Sequence, residues 1–256
     1  LSVPQTIDGY TVVGIGSSAF EGNTNLRFLS LPDTVTKIGS NAFSNCTSLS
    51  KVTLPDSLTT IENCAFNNCE SLEEVRLPDG LTEIGFRAFG ACTSLKKVYI
   101  PKTITSCAGY NPSSCVYEGP FRGCTSLNDV EFADGIKTIP QNLFLKCTGL
   151  KEIALPDTVT TIGSAAFEYC SNLTSIVWPN NLTTIGDSAF YACTKLAEVA
   201  LPDTVTKIGS NAFSDCTSLS KVTLPDSLNT MGDEAFCNCF SLKVLKLSNS
   251  MSTIPG

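Results

Sequence analysis

The chain has 256 residues, 42% of them hydrophobic and 16% charged, which is enough apolar material for a packed core and unlike the composition of a disordered segment. Its formal charge of −7, with seventeen Lys and Arg scattered singly, lacks the basic footprint of a nucleic-acid binder or of a polybasic membrane patch. No apolar run approaches the roughly 18 to 20 residues that cross a bilayer, and the complete absence of His removes Ser-His-Asp, Cys-His and HExxH chemistry, which argues against an enzyme.

The chain opens LSVPQ, with neither Met nor a signal-peptide pattern, so an address label is absent or has been removed, as in a piece of something longer. The stretch LPDTVTKIGSNAFSNCTSLSKVT at 31 to 53 then returns along the chain. The copy from Leu201 differs from it, over 23 residues, only by Asp215 in place of Asn45. A fixed period makes the chain a repeat array, and one domain over 1–256 is expected. The first coil, 1–30, is irregular, since Val3-Pro4 lies 28 residues before Leu31. The Leu-Pro position recurs at Leu54, Leu77 and Ile100, and a long coil with an insertion, 101–131, takes 32 residues to reach Phe132. The period resumes through Leu155, Trp178, Leu201 and Leu224 to Leu247, where a truncated last coil, 247–256, begins.

Aligned copies show columns. One carries the Phe of the Ala-Phe pair in ten coils, from Phe20 and Phe43 to Phe213 and Phe236, and two aliphatic columns follow at Leu49, Val52 and their counterparts. Leu-x-x-Val-x-Leu ends in a two-residue alternation, so Val52 and Leu54 point one way while Lys51 and Thr53 point the other; this predicts a short strand with one buried side. Pro-Asp then makes a turn, Val35 and Ile38 return a second apolar edge, and Gly39 breaks the run. The SNAFSNC segment places Ser or Asp before Ala-Phe, in position to cap a turn of 3₁₀ or α-helix. No coil buries these residues alone, whereas stacked coils do, with strands pairing in parallel at about 4.8 Å. The predicted fold class is an α/β repeat solenoid, strand-dominated, of about ten coils, with parallel strands on the concave face and short 3₁₀ or helical turns elsewhere.

Nine of thirteen cysteines fall in one column, from Cys46 and Cys69 to Cys216 and Cys239, where the first coil has Asn23. Stacked neighbours meet the Cα separation of a disulfide, but their side chains run parallel rather than facing, and nine cannot all pair within the column. A ladder of reduced, buried thiols is expected, which fits a reducing or anaerobic setting. Cys64, and Cys237 in a Cys-x-Cys with Cys239, lie outside it, and with no His a zinc site there is not expected. Cys107 and Cys115, eight residues apart in the long coil, are placed to staple that loop by a disulfide. The Asp after Pro, as at Asp33, Asp56 and Asp79, forms a row superficially suited to calcium, but it reads as a turn residue copied with the unit. No metal and no cofactor is expected.

At Leu-x-x-Val-x-Leu-Pro, followed by Ile-Gly, Ala-Phe and Cys, the chain resembles the leucine-rich repeats of BspA-like bacterial surface proteins, the Treponema pallidum type of repeat. The resemblance covers essentially all of the chain. It implies a right-handed solenoid whose strands line a concave face, in a cell-surface or secreted protein that adheres to host matrix proteins, other cells or glycans.

What varies between copies bears on function, because a fold needs its columns and not any particular outward residue. On the strand the first outward column includes Lys51, Glu74, Lys97 and Asp129, and the second includes Arg76, Tyr99 and Glu131. These mix charges of both signs with Arg and Tyr, types that anchor interfaces. The long coil brings Tyr110 and Tyr117 to a loop at 105–120, and an insertion in one coil of an array often maps to a binding feature. These nine residues are the candidate binding set for a protein or glycan on the host matrix or another cell, with no nucleic acid and no membrane insertion. The alternative is an architectural or self-associating scaffold without a dedicated ligand.

Overall fold

The computed structural model describes residues 1–107, 110–111 and 116–246, apart from the side chains of 110, 111, 116, 117 and 246. The chain divides into two compact units, Leu1–Ala133 and Asp134–Gly256. The first opens on an antiparallel pair, β1 (Thr6–Ile7) and β2 (Tyr10–Thr11). Each coil then gives two short strands: β3 (Gly14–Ile15) and β4 (Phe28–Ser30), β5 (Lys37–Ile38) and β6 (Lys51–Thr53), β7 (Thr60–Ile61) and β8 (Glu74–Arg76), β9 (Glu83–Ile84) and β10 (Lys97–Ile100). The long coil contributes β11 (Tyr110–Asn111), β12 (Val116–Tyr117) and β13 (Asp129–Phe132). In the second unit the same alternation runs through β14 (Thr138–Ile139) and β15 (Glu152–Ala154), β16 (Thr161–Ile162) and β17 (Ser175–Val177), β18 (Thr184–Ile185) and β19 (Glu198–Ala200), β20 (Lys207–Ile208) and β21 (Lys221–Thr223), β22 (Thr230–Met231) and β23 (Val244–Lys246).

Strands pair with their counterparts one coil on, all in parallel apart from β1–β2 and β11–β12. The fold is a strand-dominated parallel β-solenoid. In the first unit β3, β5, β7 and β9 form one ladder; the face strands make two, β4–β6 and β8–β10–β13. In the second, β14, β16, β18, β20 and β22 form the corresponding ladder, and the face strands pair as β15–β17 and β19–β21–β23. Alternation decides which side is buried: Val75 and Val98 are sealed while Glu74 and Arg76 face solvent.

Pairing each coil with the next brings identical residues together at the coil repeat. Phe20, Phe43, Phe66 and Phe89 stack with ring centroids 5.0 to 5.2 Å apart and planes within 8° of parallel. Phe167, Phe190, Phe213 and Phe236 do the same in the second unit at 5.2 to 5.4 Å. In that unit Trp178 sets its edge against Phe190, with centroids 5.4 Å apart. Burying a Phe contributes roughly 1.5 to 3 kcal/mol, so this column carries a large share of the driving force.

The segment read as a capped helical turn is not helical: no helix of any kind occurs among the described residues. The reason lies in two residues per coil. Asn41 and Asn45 have φ of 56° and 59°, in the left-handed region, and so do Cys64 and Asn68, Ser188 and Ala192, and their counterparts. A residue before Ala-Phe that takes left-handed φ cannot serve as an N-cap, which sits in the β region. The hydrogen bonds alternate accordingly. Ala42, Ser44 and Cys46 donate to carbonyls three residues back, while the intervening Asn41, Phe43 and Asn45 donate to Asn63, Ala65 and Asn67 of the next coil. A 3₁₀-helix needs every N–H for its own turn, and here every second one is spent on the stack.

Two further columns acquire physical causes. At Gly163 an added Cβ would lie 2.6 Å from the Gln141 backbone nitrogen in the preceding coil, so the Gly of Ile-Gly is set by the approach of two backbones; at Gly16 nothing lies within 4 Å. The ladder thiols donate to the Phe carbonyl one coil earlier, as from Cys46 to Phe20, Cys69 to Phe43 and Cys193 to Phe167, at 3.2 to 3.3 Å. Asn23, in the first coil, instead accepts the N–H of Asn25 in its own turn at 3.2 Å. Burial pushes the Cys46 thiol up to about 11 and that of Cys124 up to about 12, so these groups stay protonated donors. Cys107 is buried, and Cys115, its expected disulfide partner, lies outside the described residues.

Candidate functional site

Parallel register fixes which outward residues meet. β10 pairs with β8 so that Lys97 stands beside Glu74 and Tyr99 beside Arg76; on its other side β13 sets Asp129 beside Lys97 and Glu131 beside Tyr99. Six of the nine candidate residues thus fall on one three-stranded sheet. Lys97 Nζ reaches Glu131 Oε1 at 2.6 Å and Asp129 Oδ2 at 3.4 Å. The hydrogen bond to Glu131 is the main cause that holds the Lys97 ammonium above its ordinary value.

Arg76 lies over the Tyr99 ring, its Cζ 3.7 Å from the centroid, a separation at which a guanidinium is attracted to the ring face. The Tyr99 hydroxyl donates to Asp79 Oδ1 at 2.8 Å, and Arg76 Nη2 stands 3.8 Å from Asp79 Oδ2. Burial, followed by this hydrogen bond, raises the Tyr99 phenol above its usual value. Arg76, Tyr99 and Asp79 therefore hold one another in place before any ligand arrives.

β6 and β8 are consecutive face strands, yet they do not pair. Where they part, an open depression of about 400 Å³ is lined by Ser50, Lys51, Val52, Glu73, Glu74 and Arg76. Lys51, the seventh candidate, enters the site here, on the wall opposite Arg76. Glu73 is engaged by Lys96 at 3.4 Å, whereas Lys51 and Glu74 form no ion pair among the described residues.

The loop candidates are placed only by backbone. Tyr110 and Tyr117 are register partners in the antiparallel pair of β11 and β12. The chain re-enters the core at Glu118, which is 4% exposed and is flanked by Arg87 Nε at 3.1 Å and Arg122 Nη1 at 3.6 Å. A buried carboxylate between two guanidiniums fixes one root of the insertion.

Sequence reasoning missed Asp79 and Glu118. Asp79 is hidden in a column repeated along the chain, and its only distinguishing signal is Arg76 three residues before it. Glu118 closes the insertion three residues before Phe121, where other coils have Ser40, Asn63 and Phe86, and nothing in that column points to a buried acid.

The model of the BspA type leucine rich repeat region (6 copies) matches residues 13–118, 111–206 and 183–256. A leucine-rich repeat protein from Bacteroides ovatus is similar in structure with a TM-score of 0.59 and 27% identity, over 95% of this chain and 86% of that one. One from Eubacterium ventriosum shares the fold at a TM-score of 0.55 and 23% identity, over 94% of this chain and 71% of that one. Comparison with curated proteins gives no match. Among the described residues no helix is long and apolar enough to cross a membrane.

Proposed function

We propose that this chain, which belongs to the BspA-type leucine-rich-repeat family, is a non-enzymatic binding module of a bacterial cell-surface or secreted protein. It takes a protein or glycan, of the host matrix or of another cell, on the face formed by β6, β8, β10 and β13, with the 105–120 loop beside it. The observation that carries this reading is the stacked and anchored Arg76–Tyr99–Asp79 group at the rim of the depression between β6 and β8. A preorganised Arg and Tyr lose little freedom on binding, which is what a hot spot needs. The surface or secreted placement comes with the family resemblance.

The test is adhesion of the protein to immobilised matrix proteins, to cells and to a glycan array, before and after Arg76, Tyr99 and Glu131 are changed together to Ala. The expected result is at least about a tenfold loss, since each anchor of this kind contributes on the order of 1 to 2 kcal/mol. Unchanged adhesion by a variant with wild-type thermal stability rejects the site. A second reading, an architectural scaffold, is favoured by the near-identity of 31–53 and 201–223, because interchangeable coils serve length better than recognition. On that reading the triple variant and the wild type behave alike in every binding assay.

A further inference from the structure

The face strands of the first unit carry a charge order with a symmetry of its own. After the exposed Phe28 of β4, the first outward column along β6, β8, β10 and β13 reads Lys51, Glu74, Lys97, Asp129: plus, minus, plus, minus. In the second column Arg76 and Tyr99 occupy the two middle strands, side by side in register. A two-fold axis lying parallel to the strands, between β8 and β10, turns this face onto a second copy of itself. Lys51 then meets Asp129 of the other copy, Glu74 meets Lys97, and Arg76 meets Tyr99, each pair occurring twice. Because β8 and β10 hold Glu74 beside Lys97 and Arg76 beside Tyr99 in register, matching one of these two pairs brings the other with it.

From this charge complementarity we infer that the strand face of the first unit is an isologous self-docking surface whose occupant is a second copy of the chain. Lys51 and Glu74 are the two members without an ion pair among the described residues, so docking supplies what the single chain does not. Lys97 and Asp129 exchange or share their existing pairing, and the Arg76–Tyr99 stacking within one chain shows that these two side chains suit each other. A patch four strands wide is well below the roughly 800 Å² per partner of a standard interface, so the dimer is weak and salt-sensitive. It also covers the depression between β6 and β8, so that a ligand and the second copy compete for one face. That competition, unlike the dimer itself, rests on the binding role proposed above.

The test uses two charge reversals and their mixture, followed by sedimentation velocity at about 50 mM and about 500 mM salt. Wild type is expected to dimerise with rising concentration at the lower salt and to dissociate at the higher. E74K puts Lys opposite Lys97, and K97E puts Glu opposite Glu74; each alone is expected to weaken dimerisation at least about tenfold. When the two variants are mixed, the lysine introduced by E74K faces the glutamate introduced by K97E, and the native Lys97 of the first variant faces the native Glu74 of the second. A heterodimer of wild-type affinity is therefore expected. Circular dichroism melts report whether each variant is folded, and the mixture shows complementation only if both are. Wild type that stays monomeric at the lower salt up to its solubility limit overturns the inference, and so does a mixture that fails to associate while wild type dimerises. Neither outcome touches the adhesion experiment, whose variants are scored on a different ligand.

Discussion

The thiol of Cys170 donates to the carbonyl oxygen of Phe144, 3.2 Å away and 26 residues earlier in the chain, and the same oxygen accepts the N–H of Cys147 at 3.0 Å. Both residues are fully buried, and burial raises the Cys170 thiol well above its ordinary value. Truncation to Ala leaves one acceptor site of a sealed carbonyl unfilled and opens a small cavity. Cys170→Ala is therefore expected to cost about 1 to 3 kcal/mol in urea unfolding, and Cys170→Ser, which keeps a donor, less than Cys170→Ala. In the folded protein at pH 8 an alkylating reagent should label the exposed Cys237 while Cys170 stays protected until the chain unfolds.

Gly163 and Gly16 occupy the same column with opposite surroundings. Gly163→Ala sets a methyl 2.6 Å from a backbone nitrogen that has no room to move, and a loss of about 2 to 3 kcal/mol is expected. Gly16→Ala meets nothing within 4 Å and should change the unfolding free energy by no more than about 0.5 kcal/mol. Equal effects would show that the column is chosen for backbone freedom rather than for the spacing between coils.

Glu234 holds φ at 57° in the column where other coils place Asn41, Asn142 and Asn211. The left-handed region costs an ordinary L-residue about 1 to 2 kcal/mol and Asn less, so Glu234→Asn is expected to stabilise the protein by roughly 1 kcal/mol. For a chain of this size calorimetry should register a rise in Tm of about 2 to 4 °C. A fall in Tm would mean that the Glu234 side chain makes a contribution larger than its backbone strain.

Glu62 stands where most coils have the Gly of Ile-Gly. Its carboxylate takes the Lys37 ammonium at 2.5 Å and accepts from the Ser40 N–H and Oγ, each at 2.9 Å. The Lys37 hydrogen bond is the largest of the influences that hold its pKa below the ordinary value. A carboxyl depressed by folding adds stability above its unfolded pKa, about 4.3, and loses it as pH falls through the folded value. The stability difference between wild type and Glu62→Gln should thus be largest near pH 7 and shrink towards pH 3. A difference that stays constant across that range would assign the effect to packing instead.

The strands, the Phe and Val columns and the period were legible in the sequence because burial demands the same residue at the same place in each coil: Val75 and Val98 are sealed for one reason. The turn was misread because its geometry is carried by backbone dihedrals that the side chains only loosely reflect. Asn41 and Asn45 hint at left-handed φ, but Lys146 and Tyr169 hold the same conformation at 60° and 58° and give no hint. Candidate residues on the face were findable by their departure from the repeat, as with Arg76 and Tyr99. The parting of β6 from β8 was not, since its flanking coils carry the ordinary columns.

The alternating turn has a consequence for the electrostatics of the fold. In each unit the N–H groups that reach across coils from this row, such as Asn41, Phe43 and Asn45 in the first and Ser188, Phe190 and Ala192 in the second, all point towards the following coil. Their peptide dipoles are aligned along the stacking direction, as in an α-helix, but with the positive pole towards the C-terminal end. This row thus carries a helix-like dipole of reversed sense, and the second-edge row of the same coils opposes it, since Thr36 and Gly39 donate backwards to Val13 and Ile15, as Thr183 and Gly186 do to Thr160 and Ile162.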